Sequence, residues 1–338
     1  MAVVATGFFD GVHLGHRQVI RSLVSLARRR GEPALVVTFS QHPRTVLQQD
    51  AHQLRLLNSP QEKEALLLGL GVDRVETLVF DRGFARLTAE EYLRTVLRDR
   101  LCATLLVLGY DNRLGSDRLT PELITPIAES LGLEVLVVPP TSANLASRSK
   151  GSARQNFALR AHPSQPDGWA PPVHETTGGH GSAGQTLAAA QHTATPAEVV
   201  SSTKIRKALE EGRVEAAEAM LGYPYGLRGV VVSGKQLGRK LGYPTANLRL
   251  YDPMKLIPGR GVYLTEVDVL GGRYWGMTNV GDIIETHIFD FDEDIYGLDL
   301  EVRFRRWLRP MRSFDSLDDL KAQLAADEAA CRTLLAGL

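Results

Sequence analysis

The glycine-rich stretch at residues 7–16 constrains the fold more than any other part of the sequence. It follows a short apolar run at residues 3–6 and precedes apolar residues that repeat at helical spacing. Phosphate groups bind at such a turn in open α/β sheets, because the free N–H groups and the dipole of the helix favour negative charge. The stretch therefore predicts an α/β sheet with a phosphate site at the end of its first strand.

The first half of the chain alternates strand and helix signals. Capping boxes at Ser59 and Thr88 each begin a predicted helix, and another helix is predicted over residues 121–131. A buried strand is predicted at residues 34–39, and further strands are predicted at residues 75–80, 104–108 and 134–138. This alternation favours parallel strands joined by right-handed crossovers. We therefore expect a Rossmann-like parallel sheet with its functional residues at the carboxyl ends of the strands.

The second half of the chain has a different pattern. Strand-like segments separated by Gly, Pro and Asn occupy residues 229–234, 261–267, 274–280, 285–291 and 298–304. An amphipathic helix follows at residues 316–335. The pattern predicts a small antiparallel β-barrel with a closing helix.

The chain is long enough for two domains. It has 338 residues, which is more than one ordinary core accommodates. We place the first domain at residues 1–222 and the second at residues 223–338. Within the first, residues 142 to about 196 are rich in small and polar residues and have little hydrophobic periodicity, which predicts a flexible insertion.

Composition limits the classes of partner and compartment. The formal net charge is zero, which argues against a strongly basic nucleic-acid-binding surface. Cys102 and Cys331 are the only cysteines, so the sequence has no disulfide framework and fits a reducing compartment. It contains no apolar run of transmembrane length and no secretory signal. We therefore expect a cytoplasmic protein with small-molecule partners, no nucleic acid and no membrane; the sequence leaves the oligomeric state open.

Two histidines make the phosphate site more specific. His13 and His16 are three residues apart at the helix entry, so both could donate hydrogen bonds to the charge that builds on a phosphate. The alternative is a helix-capping loop with solvated histidines. The string F-D-G-V-H-L-G-H resembles the adenylyltransferase module of the bacterial bifunctional riboflavin kinase/FAD synthetases, within the H-x-G-H nucleotidyltransferase superfamily. The resemblance implies catalytic roles for His13 and His16. It places the ATP phosphates against Gly7, Phe9, Asp10, Gly11 and Gly15.

A segment after the second predicted strand resembles the P-H-P-R-like segment of the same module. It reads His42-Pro43-Arg44, and Gln41 stands where the first proline is usual. The resemblance implies that His42, Pro43 and Arg44 contact the flavin, and the alternative is a plain βα loop.

Residues 109–115 resemble the family's G-x-D-F-x-F-G segment. Asn112 and Leu114 replace both aromatic residues, while Asp111 remains. Because aromatic rings near a flavin or adenine add stacking and apolar burial, we expect altered ring contacts here. By resemblance Asp111 contacts the flavin, and the alternative is again a plain loop.

Residues 199–206 predict a second phosphate-binding segment. Hydroxyl side chains cap a helix, and Lys204 and Arg206 add positive charge that suits triphosphate oxygens. The alternative is an ordinary N-cap with a solvated basic face. The segment resembles the superfamily's I-S-S-T-x-I-R signature, with Val200 in place of Ile. The resemblance implies a catalytic role for Arg206. It also implies phosphate contacts from Ser201, Ser202 and Thr203.

The stretch at residues 234–247 has spaced glycines and several cations, and it leads into an extended Pro-Thr-Ala-Asn. It lacks the G-K-[ST] order of a Walker A loop. Side chains repeat every two residues along a strand, so Thr245 and Asn247 point the same way, and their oxygens suit Mg²⁺. The stretch closely resembles the G-x-x-x-G-R-x-L-G-[FY]-P-T-A-N segment of riboflavin kinases. The resemblance implies ATP contacts from Gly234, Lys235, Gly238, Arg239 and Gly242.

Segments downstream also resemble riboflavin kinases. By that resemblance Glu285 is the general base for the 5′-hydroxyl of riboflavin, and Asn279 contacts the flavin. The alternative for Glu285 is an exposed strand carboxylate. Only residues 282–284 precede Glu285 where relatives carry a longer loop with Arg-Pro-Thr. This indicates either a trimmed flap or residues missing from the sequence.

These resemblances cover nearly the whole chain apart from the insertion. They imply a bifunctional enzyme that phosphorylates riboflavin to FMN with Mg²⁺ and ATP, then adenylylates FMN to FAD and pyrophosphate with a second ATP. Three alternatives stay open. The first is a riboflavin kinase with an impaired adenylyltransferase module. The second is a pantetheine-phosphate or nicotinamide-mononucleotide type of nucleotidyltransferase, which leaves residues 229–291 unexplained. The third is a non-catalytic flavin-binding module, which does not need Glu285, His13 and His16 together.

Overall fold

A computed structural model gives the structure of the chain over residues 1–42, 54–140, 142–143, 198–234 and 237–337. Three of the predicted site residues, Pro43, Arg44 and Lys235, lie outside the described residues. So do residues 144–196 of the predicted insertion.

The first half of the chain forms a parallel sheet of five strands. In chain order the strands are β1 (Ala2–Thr6), β2 (Ala34–Phe39), β3 (Arg74–Leu78), β4 (Ala103–Gly109) and β5 (Glu134–Val138). Their order across the sheet is β3-β2-β1-β4-β5, with parallel pairing throughout. The expected parallel sheet is therefore confirmed. Because the strand order reverses beside β1, its carboxyl end lies where ligands bind in sheets of this kind.

Helices cover both faces of this sheet. They are α1 (Leu14–Arg30), α2 (Pro60–Leu68), α3 (Ala89–Glu91), which continues as a π-helix (Tyr92–Arg100), and α4 (Pro121–Ser130). Both predicted capping boxes are present, at the start of α2 and of α3. Val3 and Ala5 of β1 pack into one core cluster, and Ala2 and Val4 pack into another. The central strand is thus buried on both faces, as its unbroken apolar sequence indicates.

Two short strands join the ends of the insertion. β6 (Ser142–Ala143) pairs antiparallel with β7 (Glu198–Val199). The helices α5 (Ser202–Glu210) and α6 (Val214–Leu221) follow, and α6 ends at Gly222 in the left-handed conformation. Buried side chains of both helices share one core cluster with the barrel described next. The two halves of the chain are therefore packed against each other.

The second half forms a closed antiparallel barrel, as predicted, with the order β10-β11-β12-β9-β8-β13. Its strands are β8 (Gly226–Val232), β9 (Ala246–Leu250), β10 (Gly261–Val269), β11 (Gly272–Val280), β12 (Ile284–Ile288) and β13 (Asp299–Arg309). A short helix α7 (Leu237–Lys240) lies between β8 and β9. β12 ends three residues earlier than predicted, and Asp290 just beyond it has a positive φ of 55°. A left-handed residue cannot continue an extended strand, which is the reason for the early end.

The predicted closing helix is α8 (Leu317–Ala336). Its buried Asp327 accepts hydrogen bonds from the Arg309 guanidinium of β13, with Nη2–Oδ2 at 2.7 Å. Cys331 of α8 packs with Leu264, Met277 and Phe289 of the barrel. The helix therefore covers the outer surface of the barrel near β10 and β11.

Candidate functional site

The loop between β1 and α1 has an unusual backbone. Phe9, Gly11 and Val12 all have positive φ angles, of 53°, 83° and 35°. This conformation is costly for a β-branched residue such as Val12, and such strain clusters at functional sites. The φ of Gly11 favours glycine, and a Cβ there would lie 2.7 Å from Leu57 Cδ1. The loop turns sharply enough to direct its backbone across the carboxyl end of β1.

His13 and His16 are brought together at the start of α1. His13 is the N-cap of the helix, and its Nδ1 accepts a hydrogen bond from the His16 backbone N–H at 3.4 Å. The two imidazole rings are stacked, with centroids 3.7 Å apart and planes within 15°. The edge of Phe9 packs against His16 at 5.3 Å between centroids. The histidines thus form one unit, and they are not the solvated pair of the alternative reading.

Burial keeps both imidazoles neutral. It lowers the pKa of His13 to about 4. It also lowers the pKa of His16 well below the ordinary value, and the neighbouring His13 and Lys63 act in the same direction. His16 Nδ1 is buried and has no hydrogen-bond partner among the described residues. At neutral pH this pair can donate or accept a hydrogen bond toward a ligand without carrying charge.

Asp10 connects the first signature to the second. Its Oδ1 accepts hydrogen bonds from the backbone N–H groups of Leu57 at 3.0 Å and Asn58 at 3.3 Å. Its other oxygen pairs with the guanidinium of Arg206 on α5. The Asp10 carbonyl accepts a hydrogen bond of 2.9 Å from the Ser202 hydroxyl. Both carboxylate oxygens are therefore engaged within the protein, and the side chain holds the site together.

The remaining residues of the second signature surround the start of α5. Ser201 is the N-cap, and its Oγ accepts a hydrogen bond from the Lys204 N–H at 3.4 Å. Thr203 is exposed in the first turn. Arg206 Nε donates to the carbonyl of Arg55 at 2.9 Å. The predicted phosphate residues of residues 201–206 therefore lie beside the loop that carries His13.

Lys63 is a site residue that sequence reasoning missed. It is buried on α2, and its ammonium donates to the carbonyl of Phe8 at 3.1 Å and to that of Phe39 at 3.4 Å. The ammonium also lies 4.1 Å from the ring centroid of Phe8, whose ring contacts His42. Burial lowers the pKa of Lys63 to about 8. Lys63 thus connects the chain just after β1 to the end of β2. The only indication of this role in the sequence was the position of Lys63, four residues before the buried Leu67.

The segment that lost both aromatic residues is ordered by other contacts. The Asn112 amide donates to the Thr6 carbonyl at the end of β1, at 3.0 Å. Leu114 is buried and exchanges backbone hydrogen bonds with Leu119, at 3.1 and 2.9 Å. Asp111 is exposed beside them. The substitutions therefore leave the loop after β4 attached to the central strand.

Glu285 is placed between two asparagines on the outer face of the barrel. In the antiparallel register Asn247 of β9 lies opposite Glu285 of β12, which in turn lies opposite Asn279 of β11. The neighbouring Leu248 and Ile284 belong to the barrel core, so the alternate residues point away from it. The Glu285 side chain makes no hydrogen bond or ion pair with the other described residues. The row brings together three side chains that the sequence analysis predicted separately.

The amide oxygens of Asn247 and Asn279 are both buried in this row. Asn247 Oδ1 and Asn279 Oδ1 are buried and accept no hydrogen bond from the described residues. A buried, unpaired oxygen is costly, and a ligand or cation supplies the missing partner. A hard oxygen donor at Asn247, two residues from the Thr245 hydroxyl, fits Mg²⁺. No cluster of three or more His, Cys, Asp or Glu side chains suited to a metal occurs in the described ranges.

Glycines shape the loop before β9. A Cβ at Gly234 would overlap the Asn247 amide, and a Cβ at Gly238 would overlap the carbonyl of Tyr243. Gly242 has a φ of 87°. These glycines allow the chain to fold closely over the strand that carries Thr245 and Asn247.

A cavity of about 240 Å³ opens beside this loop. It is lined by Arg239, Thr245, Thr286 and Ile288, together with the acidic residues 292–294, which the sequence analysis did not single out. The cavity therefore adjoins the predicted ATP contact Arg239 and the predicted metal ligand Thr245.

The shortened loop before Glu285 is a tight hairpin. The Gly281 N–H donates to the Ile283 carbonyl at 3.2 Å, and Asp282 pairs with Arg260 at 2.7 Å. The chain therefore closes β11 onto β12 through residues 281–283, without the longer loop.

Two family models match the chain. A model of FAD synthetase matches residues 1–150, and a model of riboflavin kinase matches residues 221–335. The boundary between the two matches lies in the same region as the linking helices α5 and α6.

Curated relatives match almost the whole chain. A bifunctional riboflavin kinase/FMN adenylyltransferase of Listeria monocytogenes is 30% identical, covering 99% of this chain and 93% of the relative. The protein of that name from Escherichia coli K12 is 31% identical, covering 98% of this chain and 91% of the relative. A solved structure from Streptococcus pneumoniae, described as a macrolide-efflux protein, is 31% identical, with a TM-score of 0.77 over 98% of this chain and 94% of that one. Among the residues the structure describes, no helix is long and apolar enough to span a membrane.

Proposed function

The chain belongs to the family of bifunctional riboflavin kinase/FMN adenylyltransferases, and we propose that it converts riboflavin to FAD in two steps. The second domain transfers the γ-phosphoryl group of ATP to riboflavin, giving FMN and ADP. The first domain transfers AMP from a second ATP to FMN, giving FAD and pyrophosphate. The observation that carries the proposal is the row Asn247–Glu285–Asn279. A carboxylate that is unpaired among the described residues, between two amide oxygens that also lack a partner there, suits a hydroxyl nucleophile.

In the kinase step Glu285 acts as the general base. It accepts the proton of the riboflavin 5′-hydroxyl as that oxygen bonds to the γ-phosphorus and the bond to the leaving ADP breaks. Asn279 orients the flavin beside Glu285. Thr245 and Asn247 would hold Mg²⁺, which when bound neutralises phosphate charge. The glycine loop holds the nucleotide beside Thr245: Arg239 and Thr245 line one cavity, and Gly234 packs closely against the Asn247 amide.

In the adenylyl step the FMN phosphate oxygen attacks the α-phosphorus of ATP, and pyrophosphate leaves. The neutral His13 and His16 donate hydrogen bonds to the oxygens that gain charge. The start of α5, with Ser201, Ser202 and Thr203, supplies N–H and hydroxyl donors for the phosphates. The Asp10 side chain holds Arg206 and the loop in place, and the phosphate contacts of Gly7, Gly11 and Gly15 are made by the backbone. The protein thus mainly positions reactants and stabilises charge.

The flavin contacts proposed for the adenylyl site are His42, Pro43, Arg44 and Asp111. His42 and Asp111 follow the carboxyl ends of β2 and β4, on either side of β1. We propose a cytoplasmic location, supported by the ATP consumed in both reactions and by the two unpaired cysteines.

A time course of products tests the proposal. Riboflavin, ATP and Mg²⁺ are incubated with the protein, and the flavins are separated chromatographically, with reactions lacking ATP as the control. We expect FMN first and FAD afterwards. FMN alone would indicate a kinase with an impaired adenylyl site. If the protein binds riboflavin and FMN but consumes ATP with neither, it is a flavin-binding module and the proposal is refuted.

A further inference from the structure

One segment of the first domain contacts the barrel domain on one side and the adenylyl loop on the other. This segment, residues 55–58, pairs with residues 254–256 of the barrel domain. The Leu56 N–H donates to the Met254 carbonyl at 2.7 Å, and the Leu256 N–H donates to the Leu56 carbonyl at 2.8 Å. We call residues 55–58 the bridging segment.

The opposite side of the bridging segment holds the loop that carries the nucleotidyltransferase signature. The N–H groups of Leu57 and Asn58 donate to Asp10 Oδ1, and the Arg55 carbonyl accepts from Arg206. Leu57 is fully buried and packs closely against Gly11, where an added Cβ would lie 2.7 Å from Leu57 Cδ1. The position of the Asp10–Gly11 turn therefore depends on the position of the bridging segment.

Lys255 of the barrel domain is the side chain that fixes this arrangement. It is 5% exposed, its ammonium donates to the Leu57 carbonyl at 2.9 Å, and it pairs with Glu62 of α2. The ring of Tyr225 lies 4.8 Å from the ammonium, and the Tyr225 hydroxyl donates to the Leu256 carbonyl at 2.7 Å. Lys255 is thus held by its own domain while it binds two groups of the other.

A second contact brings the barrel domain to the end of α5. The Gly259 N–H donates to the Leu209 carbonyl at 2.8 Å, and a Cβ at Gly259 would overlap the Glu210 carbonyl. The helix α5 carries Ser202 and Arg206. Residues 254–259 of the kinase domain therefore contact both the bridging segment, which holds Asp10, and the helix that carries Ser202 and Arg206.

From these contacts we propose that Lys255 is a positioning residue for FAD formation, supplied by the domain that makes FMN. The inference rests on the proposed two-step function. Lys255 touches neither Asp10 nor His13; it acts by holding the Leu57 carbonyl, and hence the N–H groups that orient Asp10. Because small displacements of reacting groups cost large factors in rate, its loss lowers the rate of adenylyl transfer.

The test compares Lys255→Met with Lys321→Met, which removes an exposed lysine of the same domain on α8. Both reactions are measured on each full-length variant. We expect Lys255→Met to lower kcat for FMN-to-FAD conversion roughly 10- to 100-fold, with a smaller change in KM. We expect riboflavin phosphorylation to stay within about twofold of wild type, which also shows that the chain is folded.

A double variant separates positioning from general destabilisation. If Lys255 acts through the N–H groups that orient Asp10, the Asp10→Ala and Lys255→Met changes should be non-additive, because Asp10→Ala already removes the acceptor of both N–H groups. The double variant should then be about as slow as the slower single variant. Full additivity, equal loss of both reactions, or wild-type FAD formation by Lys255→Met would each overturn the inference. Absence of FAD formation by the wild type would instead refute the proposed function.

Discussion

Arg206 and Asp10 form an ion pair that joins the two signature segments of the adenylyl site. The side chains are 12% and 4% exposed, and they lie 196 positions apart in the sequence. Burial raises the pKa of Asp10, while the Arg206 charge acts against that rise. The pair is therefore part of the architecture of the site as well as of its charge distribution.

Replacing Asp10 should reveal how much the first domain depends on this pair. Asp10→Ala leaves the buried Arg206 charge unpaired and frees the N–H groups of Leu57 and Asn58, so we expect the free energy of unfolding to fall by about 3–5 kcal/mol. Asp10→Asn keeps an acceptor for both N–H groups and should cost less. Asp282→Ala, which removes an exposed pair with Arg260, is the control and should leave the free energy of unfolding almost unchanged. Equal losses for Asp10→Ala and Asp282→Ala in urea denaturation would contradict this account.

The buried histidines predict a pH dependence of stability. The folded pKa of His13 is about 4 and its ordinary value is 6.5, so the unfolded chain binds the proton more tightly. The contribution of neutral His13 to the free energy of unfolding is therefore fully present above pH 6.5, and it is lost as the pH falls toward 4. For His13 alone we expect a loss of roughly 2 kcal/mol between pH 7 and pH 5. Denaturation of wild type and His13→Asn at both pH values checks this, and the variant should lose less; identical pH dependence would show that His13 titrates normally.

Lys63 predicts an alkaline limit for FAD formation. Its ammonium holds the carbonyls of Phe8 and Phe39, and with a pKa of about 8 it loses its proton as the pH rises through that value. We expect FMN-to-FAD conversion by the wild type to decline above about pH 8. Lys63→Arg keeps the charge at all these pH values and should remove that decline. The same decline in Lys63→Arg would assign it to another group.

The two asparagines beside Glu285 should have separable roles. We expect Asn247→Leu to raise the Mg²⁺ concentration needed for half-maximal FMN formation about tenfold or more, because it removes a proposed oxygen ligand. Asn279→Leu is the matched control and should raise KM for riboflavin instead, since it removes the other buried amide oxygen that accepts no hydrogen bond from the described residues. Steady-state titrations of Mg²⁺ and riboflavin distinguish the two. Equal shifts in Mg²⁺ dependence for both variants would remove Asn247 from metal binding.

The sequence predicted those parts of the molecule that are encoded locally. The capping boxes at Ser59 and Thr88, the alternation of strands and helices and the barrel with its closing helix all follow from nearby residues and are confirmed. Site residues were predicted mainly through motifs, because their spacing is tied to chemistry. Period-two spacing also placed Thr245 and Asn247 on one face of the chain.

Residues whose role depends on distant contacts could not be predicted in this way. Lys63 and Lys255 resemble surface lysines in sequence, and only the packing of α2 and of residues 254–256 makes them buried donors to carbonyl groups. The replacement of an aromatic residue by Asn112 indicated altered ring contacts but not the hydrogen bond to Thr6. The neutral state of His13 likewise depends on its burial, which cannot be predicted from the H-x-G-H motif.

Complementation between two single-site variants tests the central claim, that one chain carries two separate sites acting in sequence. Glu285→Gln should make no FMN but convert supplied FMN to FAD, and His16→Ala should make FMN without FAD. A mixture of the two variants with riboflavin, ATP and Mg²⁺ is then analysed for flavins. The account predicts that FAD appears in the mixture and in neither variant alone. Loss of both activities in each variant, with no FAD from the mixture, would contradict it.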